Sequence, residues 1–153
     1  MDLFVVLLAV TVVIRGLGAG LIYDVAWISL PLRNVIGVVP YARYARANFD
    51  RGFKTYGPVS IIGLLLTVAL TVFVFIRDYH AVIFWPVVVA MAATVLAIFG
   101  TSRALPSVIK IRKSSDDEGE LTKTFNYFAF WHSFSTLWQL ISFLSLVVAL
   151  TFA

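Results

Sequence analysis

The stretch VSIIGLLLTVALTVFVFI, Val59–Ile76, decides the fold class of this 153-residue chain. It contains no charged residue, and an α-helix of about 20 such residues crosses a hydrocarbon core of about 30 Å, because the helix rises about 1.5 Å per residue. Three further apolar runs of similar length occur in the chain: Leu3–Ile22, Ala81–Gly100 and Phe125–Leu150. The sequence therefore predicts a polytopic membrane protein.

The overall composition agrees with this prediction. Hydrophobic residues make up 61% of the chain, charged residues 13%, and the mean hydropathy is +0.95. A soluble domain of this size could not bury so much apolar surface. We predict an all-α, polytopic membrane four-helix bundle that forms a single domain over residues 1–153, with helices at about 3–29, 59–76, 81–104 and 123–151. We expect the first helix to stay in the membrane rather than to be a signal peptide, because no basic region precedes it.

Several kinds of chemistry are excluded by residue content. The chain has no cysteine, so thiol–disulfide exchange, a cysteine zinc site and an iron–sulfur cluster are excluded. Its two histidines, His80 and His132, are predicted far apart across the membrane, and neither has a carboxylate pair at ligand spacing. We therefore predict no cofactor and no metal, except a metal shared with a partner subunit. The net charge of +4 is assigned to loops at the membrane surface rather than to nucleic-acid binding.

The distribution of Lys and Arg predicts the orientation. Ten of the twelve basic residues lie in the first and third connections, whereas the tight turn Arg77–His80 has one. Four-helix topology puts the first and third connections on the same side, and the positive-inside rule makes that side cytoplasmic. We therefore predict a multi-pass protein of the cell membrane with both termini outside. The ten residues are Arg33, Arg43, Arg46, Arg51, Lys54, Arg103, Lys110, Arg112, Lys113 and Lys123.

The first connection has an amphipathic pattern over residues 41–54. One helical face carries the charged residues Arg43, Arg46, Asp50 and Lys54, and the other carries Tyr41, Tyr44, Ala45, Asn48 and Phe49. We predict a short interfacial helix that anchors the chain, with its cations toward lipid phosphates and its rings at headgroup depth. Pro40 is expected to start this helix and Gly57-Pro58 to end it. The acidic segment SSDDEGE, residues 114–120, is expected to end the third helix and to cap the fourth.

Each predicted span also has a stripe of small or polar residues, which indicates the face that packs inside the bundle. Gly16 and Gly20 have the spacing that lets two helix backbones approach closely. The stripes on the other three spans are Ser60, Gly63, Thr67 and Thr71; Ala90, Ala93, Thr94, Ala97, Gly100 and Thr101; and His132, Ser135, Thr136, Gln139 and Ser142.

The polar residues Arg15, Asp24, His132 and Gln139 stand apart because burying such groups in hydrocarbon is expensive. Counted from the expected membrane boundaries, Arg15 and His132 lie at similar depth in the cytoplasmic half. Arg15 is either a buried ion partner or the anchor of an anionic or carbonyl-bearing ligand, and His132 is either a satisfied core histidine or an acid–base or ligand-contacting residue. With Ser135 and Gln139 they form the predicted ligand-binding set, in which His132 and Arg15 are the candidate catalytic residues. Asp24 is expected to meet a basic residue at the membrane surface or to cap a pocket.

The segment GLGAG, Gly16–Gly20, and the following YDVAWISLPLR, Tyr23–Arg33, resemble the opening of the anthrone-oxygenase-like family of small membrane proteins. Members of that family are about this long, are predicted as four helices, and begin with a Gly-Ala-Gly-bearing helix that ends in a Pro-Leu-Arg-like step. Their fourth helix carries a histidine followed three residues later by Arg or Ser, which here corresponds to His132 and Ser135. The resemblance implies a four-helix membrane fold, and most members have no assigned function.

The sequence supports two functions. The first is a structural or accessory subunit that packs, within the lipid bilayer, against other membrane subunits or itself; it is supported by the missing cofactor motif and by an aromatic surface on the fourth helix. The alternative is a cofactor-independent, anthrone-oxygenase-like enzyme for a membrane-soluble aromatic or quinone-like substrate, with His132 as the base and Arg15 as the donor to the oxyanion. A transporter is disfavoured because we find neither broken helices nor internal repeats. The aromatic surface, expected to face lipid or another subunit, comprises Phe128, Trp131, Phe134 and Trp138.

Overall fold

A computed structural model describes residues 2–77 and 80–153, without the side chain of Asp50. The described chain is helical and contains no strand, in agreement with the predicted all-α fold. Four runs within it are long and apolar enough to cross a membrane: Leu3–Ile36, Arg51–Ile76, Ala81–Lys113 and Glu118–Thr151. The five α-helices are α1 (Leu3–Tyr23), α2 (Arg33–Ile36), α3 (Val38–Ile76), α4 (Ala81–Lys113) and α5 (Glu118–Thr151). Asp78 and Tyr79 of the predicted turn lie outside the described residues.

The four long helices define two ends of the bundle. We call the end where α3 stops at Ile76 and α4 starts at Ala81 the turn end, and the end with Gly37 and the loop 114–117 the basic end. With 39, 33 and 34 residues, α3, α4 and α5 are roughly 50–60 Å long. They are therefore longer than the hydrocarbon core of about 30 Å requires.

The chain passes from α1 to α3 through an irregular helical segment. A π-helix covers Asp24–Ser29 and a 3₁₀-helix covers Leu30–Leu32, where Pro31 supplies no backbone N–H. The break comes at Gly37, whose φ of +90° is a conformation that side-chain-bearing residues rarely adopt. After it, Pro40 lies in the first turn of α3, where no N–H is needed.

The expected separate interfacial helix is the first part of α3. Residues 41–54 are helical, but the prediction that Gly57-Pro58 end this helix is wrong, because α3 continues through Pro58 to Ile76. Proline removes one backbone hydrogen bond, and here its ring lies on an exposed part of the helix, where it displaces no packed neighbour.

Part of the apolar face of this first part packs inside the protein, whereas Tyr44 on the same face is 53% exposed. Tyr41, Ala42 and Ala45 are buried, and the Tyr41 ring meets the Phe125 ring edge-on at 5.2 Å. Burial raises the pKa of Tyr41 to about 12. These residues belong to the basic-end core, which also contains Leu30, Ala104, Val108, Ile111, Leu121, Phe125 and Phe128.

Two of the cations expected to face lipid phosphates, Arg43 and Arg46, make contacts within the protein. Arg46 donates from Nε to the Ile111 carbonyl at 2.9 Å and from Nη2 to the Ser114 carbonyl at 3.1 Å, so it caps the carboxyl end of α4. Arg43 and Arg46 both bind the Asp116 carboxylate, at 2.6 and 2.8 Å, and these hydrogen bonds hold the pKa of Asp116 below its usual value. The acidic loop also caps α5 as predicted, because the Asp117 side chain accepts from the Glu120 amide at 2.6 Å.

A second apolar core fills the turn end, and a band of buried hydroxyl groups separates the two cores. The turn-end core comprises Phe4, Leu8, Leu70, Val74, Ile83, Val87, Ala90, Leu146 and Ala149. The buried polar residues between the cores include Thr11, Arg15, Thr67, Thr94, Ser135, Thr136 and Ser142. The polar centre of the molecule therefore lies at mid-height of the bundle.

Candidate functional site

Arg15 lies at the centre of the bundle with 8% of its surface exposed. Its Nε donates to the hydroxyl of Thr67 on α3 at 2.9 Å, and its Nη2 donates to the hydroxyl of Thr94 on α4. The hydroxyl of Ser142 on α5 lies 3.1 Å from that of Thr94. One guanidinium on α1 thus links all four long helices, and we call these four residues the arginine–hydroxyl cluster.

The threonine hydroxyls of the cluster are arranged as acceptors. Thr67 donates its own proton to the Gly63 carbonyl and Thr94 donates its proton to the Ala90 carbonyl, each at 2.8 Å along its own helix. A hydroxyl has one proton and two lone pairs, so the lone pairs are left for the guanidinium. Gly63 also makes room for this contact, because a Cβ there would lie 3.3 Å from Cδ of Arg15.

Neutral partners are sufficient to hold this cation. Among the described residues no carboxylate forms an ion pair with Arg15. A central Arg in a membrane helix costs about 2.5–3.5 kcal/mol on insertion scales, whereas each hydrogen bond to a charged group contributes about 1.5–3 kcal/mol. Two such bonds are large enough to offset the cost without a carboxylate partner.

His132 lies elsewhere, nearer the basic end. Its ring stacks on Phe128, with centroids 5.1 Å apart, and lies beside the backbone carbonyl of Ile22 on α1. Its Nε2 is buried and has no hydrogen-bond partner within the described part of the chain. His132 is therefore a partly buried side chain with one buried ring nitrogen that has no partner among the described residues.

The structure does not bring the four predicted site residues into one cluster. Arg15 reaches the level of Ser142, which is ten residues from His132 along α5, or roughly 15 Å. The prediction that Arg15 and His132 lie at similar depth is therefore wrong. It counted from helix ends that differ from the observed ones, because α1 continues through the π-helix and α5 begins at Glu118. Ser135 packs against α4, donating to the Ala97 carbonyl at 2.9 Å, and Gln139 is partly buried.

Some aromatic residues of α5 pack along the seam with α4, whereas Phe130 is 65% exposed. Phe134 fills the space above Gly100, where an added Cβ would lie 2.8 Å from its ring. Trp138 Nε1 is buried and has no partner in the described chain, and Trp131 packs edge-on against Phe99 at 5.7 Å. Gly100 lets α4 approach Phe134, while Trp131, Phe134 and Trp138 all stay partly exposed, so the expectation that they largely face lipid or another subunit stays a prediction.

Two other predictions from the sequence concern Asp24 and a metal site. Asp24 is exposed and accepts from the Ser29 hydroxyl at 3.0 Å, and it has no ion pair among the described residues. Within the described residues, no group of three or more His, Asp and Glu side chains could hold a metal ion. The pairing of Arg15 with Thr67 and Thr94 was missed, although all three lie 9 to 13 residues from the turn end of their helices.

A shallow groove of about 530 Å³ opens on the outer side of α1. Val13, Gly16, Leu17, Gly20 and Leu21 line it, together with Val59 of α3. A Cβ added at Gly20 would meet no atom within 4 Å, whereas at Gly16 it would lie 3.0 Å from the Phe143 ring. Gly16 therefore serves packing between α1 and α5, and Gly20 leaves an open notch at membrane depth.

Comparison of the chain with known protein families, curated proteins and solved structures gives no match.

Proposed function

We propose that this integral membrane protein is an accessory subunit that holds a transmembrane helix of another polypeptide in the α1 groove. The observation that carries this proposal is the open notch at Gly20, in a wholly apolar groove on the side of a membrane-spanning helix. Without a side chain at this position, a second helix backbone can approach closely, which is how membrane helices associate.

The polar groups inside the bundle support the same function. Arg15 and Ser135 are both engaged by neighbouring helices, so neither projects a free group into a cavity. A chain whose central arginine and serine hold its own helices together is suited to a scaffolding role. Partner contacts then fall to its lipid-facing surface, where Leu17 is 57% exposed.

Photocrosslinking in native membranes tests the proposal. A photoreactive amino acid at Leu17 should give one discrete crosslinked polypeptide, identified by mass spectrometry. The same group at Leu65, which is exposed on α3 away from the groove, should not. Gly20→Leu should abolish the crosslink because the new side chain occupies the notch.

Gly57→Leu is the matched control, because Gly57 also has no atom within 4 Å of an added Cβ but does not line the groove. It should leave the crosslink unchanged. Crosslinks from Leu17 only to lipid or to a second copy of this chain would contradict the proposal.

One observation favours the second candidate function, a cofactor-independent anthrone-oxygenase-like enzyme. The unpartnered Nε2 of His132 is an available base that could remove a proton from an activated methylene; addition of O₂ and loss of water would then leave a carbonyl. Oxygen uptake by the purified protein with anthrone should then fall at least tenfold in His132→Phe. Equal uptake by both proteins would dismiss this function.

A further inference from the structure

Arg103 is an exposed residue of α4 whose guanidinium lies over two aromatic rings at the seam with α5. Its Cζ is 5.2 Å from the centre of the Phe99 ring and 6.0 Å from that of the Trp131 ring. The two rings meet edge-on, with centroids 5.7 Å apart, so they support the guanidinium together. We call these three residues the arginine platform. Because Phe99 is also 44% exposed, the platform lies on the surface of the bundle.

The hydrogen-bonding groups of Arg103 are not used by the platform. A cation–π contact involves no hydrogen bond, so the five N–H donors of the guanidinium stay available. Among the residues that the structure describes, Arg103 makes no hydrogen bond and no ion pair. By contrast, Arg43 and Arg46 both bind the Asp116 carboxylate. Arg103 is therefore a positioned cation whose donors have no acceptor in the described chain.

The arginine platform lies at a membrane boundary by two counts along α4. From Ala81, about 20 residues cover the hydrocarbon core of about 30 Å, and Arg103 lies two residues, or about 3 Å, beyond them. The headgroup layer is about 5–7 Å thick, so it contains this position. The second count starts from Trp85, which is 60% exposed at the turn end, because Trp concentrates at membrane surfaces. Arg103 lies 18 residues, or roughly 27 Å, from Trp85.

An apolar surface continues from the platform toward the hydrocarbon core. Val95, one turn before Phe99 on the same face of α4, is 53% exposed. Side chains of a helix lean toward its start, and the Arg103 side chain accordingly turns back over Phe99, toward the hydrocarbon. A cation without a counter-charge is costly at this depth. A ligand that suits this surface has a negatively charged acceptor at headgroup depth and a hydrocarbon chain below it.

We propose that the arginine platform binds one anionic phospholipid of the leaflet at the basic end. Its phosphate oxygens accept hydrogen bonds from Arg103, and one acyl chain lies along Phe99 and Val95. The planar guanidinium matches two phosphate oxygens at once, and the rings beneath it fix its orientation. This site goes beyond the accessory-subunit function. Because it lies on α4 and α5, away from the α1 groove, either proposal can fail without the other.

A lipid titration of the whole protein tests the site. The delipidated protein in mild detergent receives phosphatidylglycerol, and native mass spectrometry measures the dissociation constant of the first lipid bound. Arg103→Gln should raise this constant about fivefold, the effect of one cation on an anionic lipid surface. Arg103→Lys should still raise it about twofold or more, because lysine keeps the charge but lacks the planar, stacked fork. Since Arg103 is exposed, both variants should unfold at the same temperature as the unmodified protein.

Lys54→Gln is the matched control. Lys54 is an exposed cation at the same depth, because it lies 22 residues from the end of α3 at Ile76, as Arg103 lies 22 residues from the start of α4 at Ala81. Within the described part of the chain it has no ring contact. Its substitution should leave the dissociation constant unchanged. Equal effects of Lys54→Gln and Arg103→Gln, or full binding by Arg103→Lys, would show a diffuse attraction to charge and overturn the site.

Two further titrations identify the ligand. Phosphatidylcholine should bind about fivefold more weakly than phosphatidylglycerol, because its choline group cancels the charge of its phosphate. Equal binding of the two lipids would overturn the assignment to an anionic phospholipid. Inorganic phosphate at the same concentration should not displace phosphatidylglycerol, because it has no chain to lie along Phe99 and Val95. Displacement would assign the platform to a free anion and overturn the lipid site.

Discussion

At the scale of single residues, the cost of burying a charge predicts which way a side chain points better than it predicts which residues the side chain contacts. That Arg15 turns inward follows from sequence, because an unpaired lipid-facing guanidinium is improbable at that depth. Its contacts with Thr67 and Thr94 could not be predicted, since they depend on the rotation and register of three helices. Short hydroxyl side chains look the same in sequence whether they pack or accept a hydrogen bond.

In the arginine–hydroxyl cluster, removing a hydroxyl partner should destabilise the protein more than removing the arginine itself. Thr94→Val keeps the shape but removes the acceptor, and should lower the free energy of unfolding by about 1–3 kcal/mol, because a buried cation loses a partner. Arg15→Met should be tolerated or stabilising, because it leaves no buried charge behind. Thermal unfolding in detergent measures both.

The decisive protein is the double variant Arg15→Met/Thr94→Val. Without the guanidinium, the valine should cost less than about 1 kcal/mol. An unchanged cost in the two backgrounds would mean that Thr94 contributes only by packing. Thr71→Val is a suitable control, because the Thr71 hydroxyl donates to the Thr67 carbonyl and does not contact Arg15.

At the scale of elements, composition predicts helices well and their ends poorly. The sequence pattern predicts helices over residues 41–54 and 59–76 with a boundary at the Gly-Pro pair between them, but α3 continues through that pair. Proline lowers helix stability locally, and packing on both sides decides whether the helix continues. Tyr41 and Ala45 provide that packing by turning into the basic-end core.

The role of Arg46 in capping α4 can be tested by comparing substitutions of Arg46 and of the nearby Arg43. Arg46→Gln should fray the last turn of α4, because the Ile111 and Ser114 carbonyls lose their donor. Arg43→Gln should have little effect, because the hydrogen bonds of Arg43 go to the exposed Asp116 and surface ion pairs contribute little. Hydrogen–deuterium exchange over residues 108–116 should rise in the first variant alone.

The contacts of Asp116 with Arg43 and Arg46 should also depend on pH, and they should be lost only in acid. The pKa of Asp116 is lowered in the folded protein, so its contacts are fully present above the ordinary carboxyl pKa and are lost as the pH falls through the lowered value. The protection of amides 108–116, taken relative to the intrinsic exchange rate at each pH, should therefore be constant between pH 5 and 8. A loss of protection at mildly acidic pH in the unmodified protein would contradict this assignment.

At the scale of the whole molecule, four apolar runs were enough to predict the helical membrane fold, because the length of a span is set by the bilayer itself. The candidate site was not predictable to the same degree. Arg15 and His132 were placed together by counting from assumed boundaries, and the structure separates them along the bundle. Depth along a helix carries an error of a full turn or more when its ends are unknown.

The remaining global property is the orientation of the protein in the membrane. The clustering of cations at the basic end predicts that this end is cytoplasmic. Because the chain has no cysteine, Ser115→Cys and His80→Cys each introduce a single label site, at the basic and turn ends respectively. In sealed, right-side-out vesicles an impermeant maleimide should label His80→Cys at once and Ser115→Cys only after permeabilisation. Labelling of both positions from the same side would rule out four spans, and the reverse pattern would place the basic end outside.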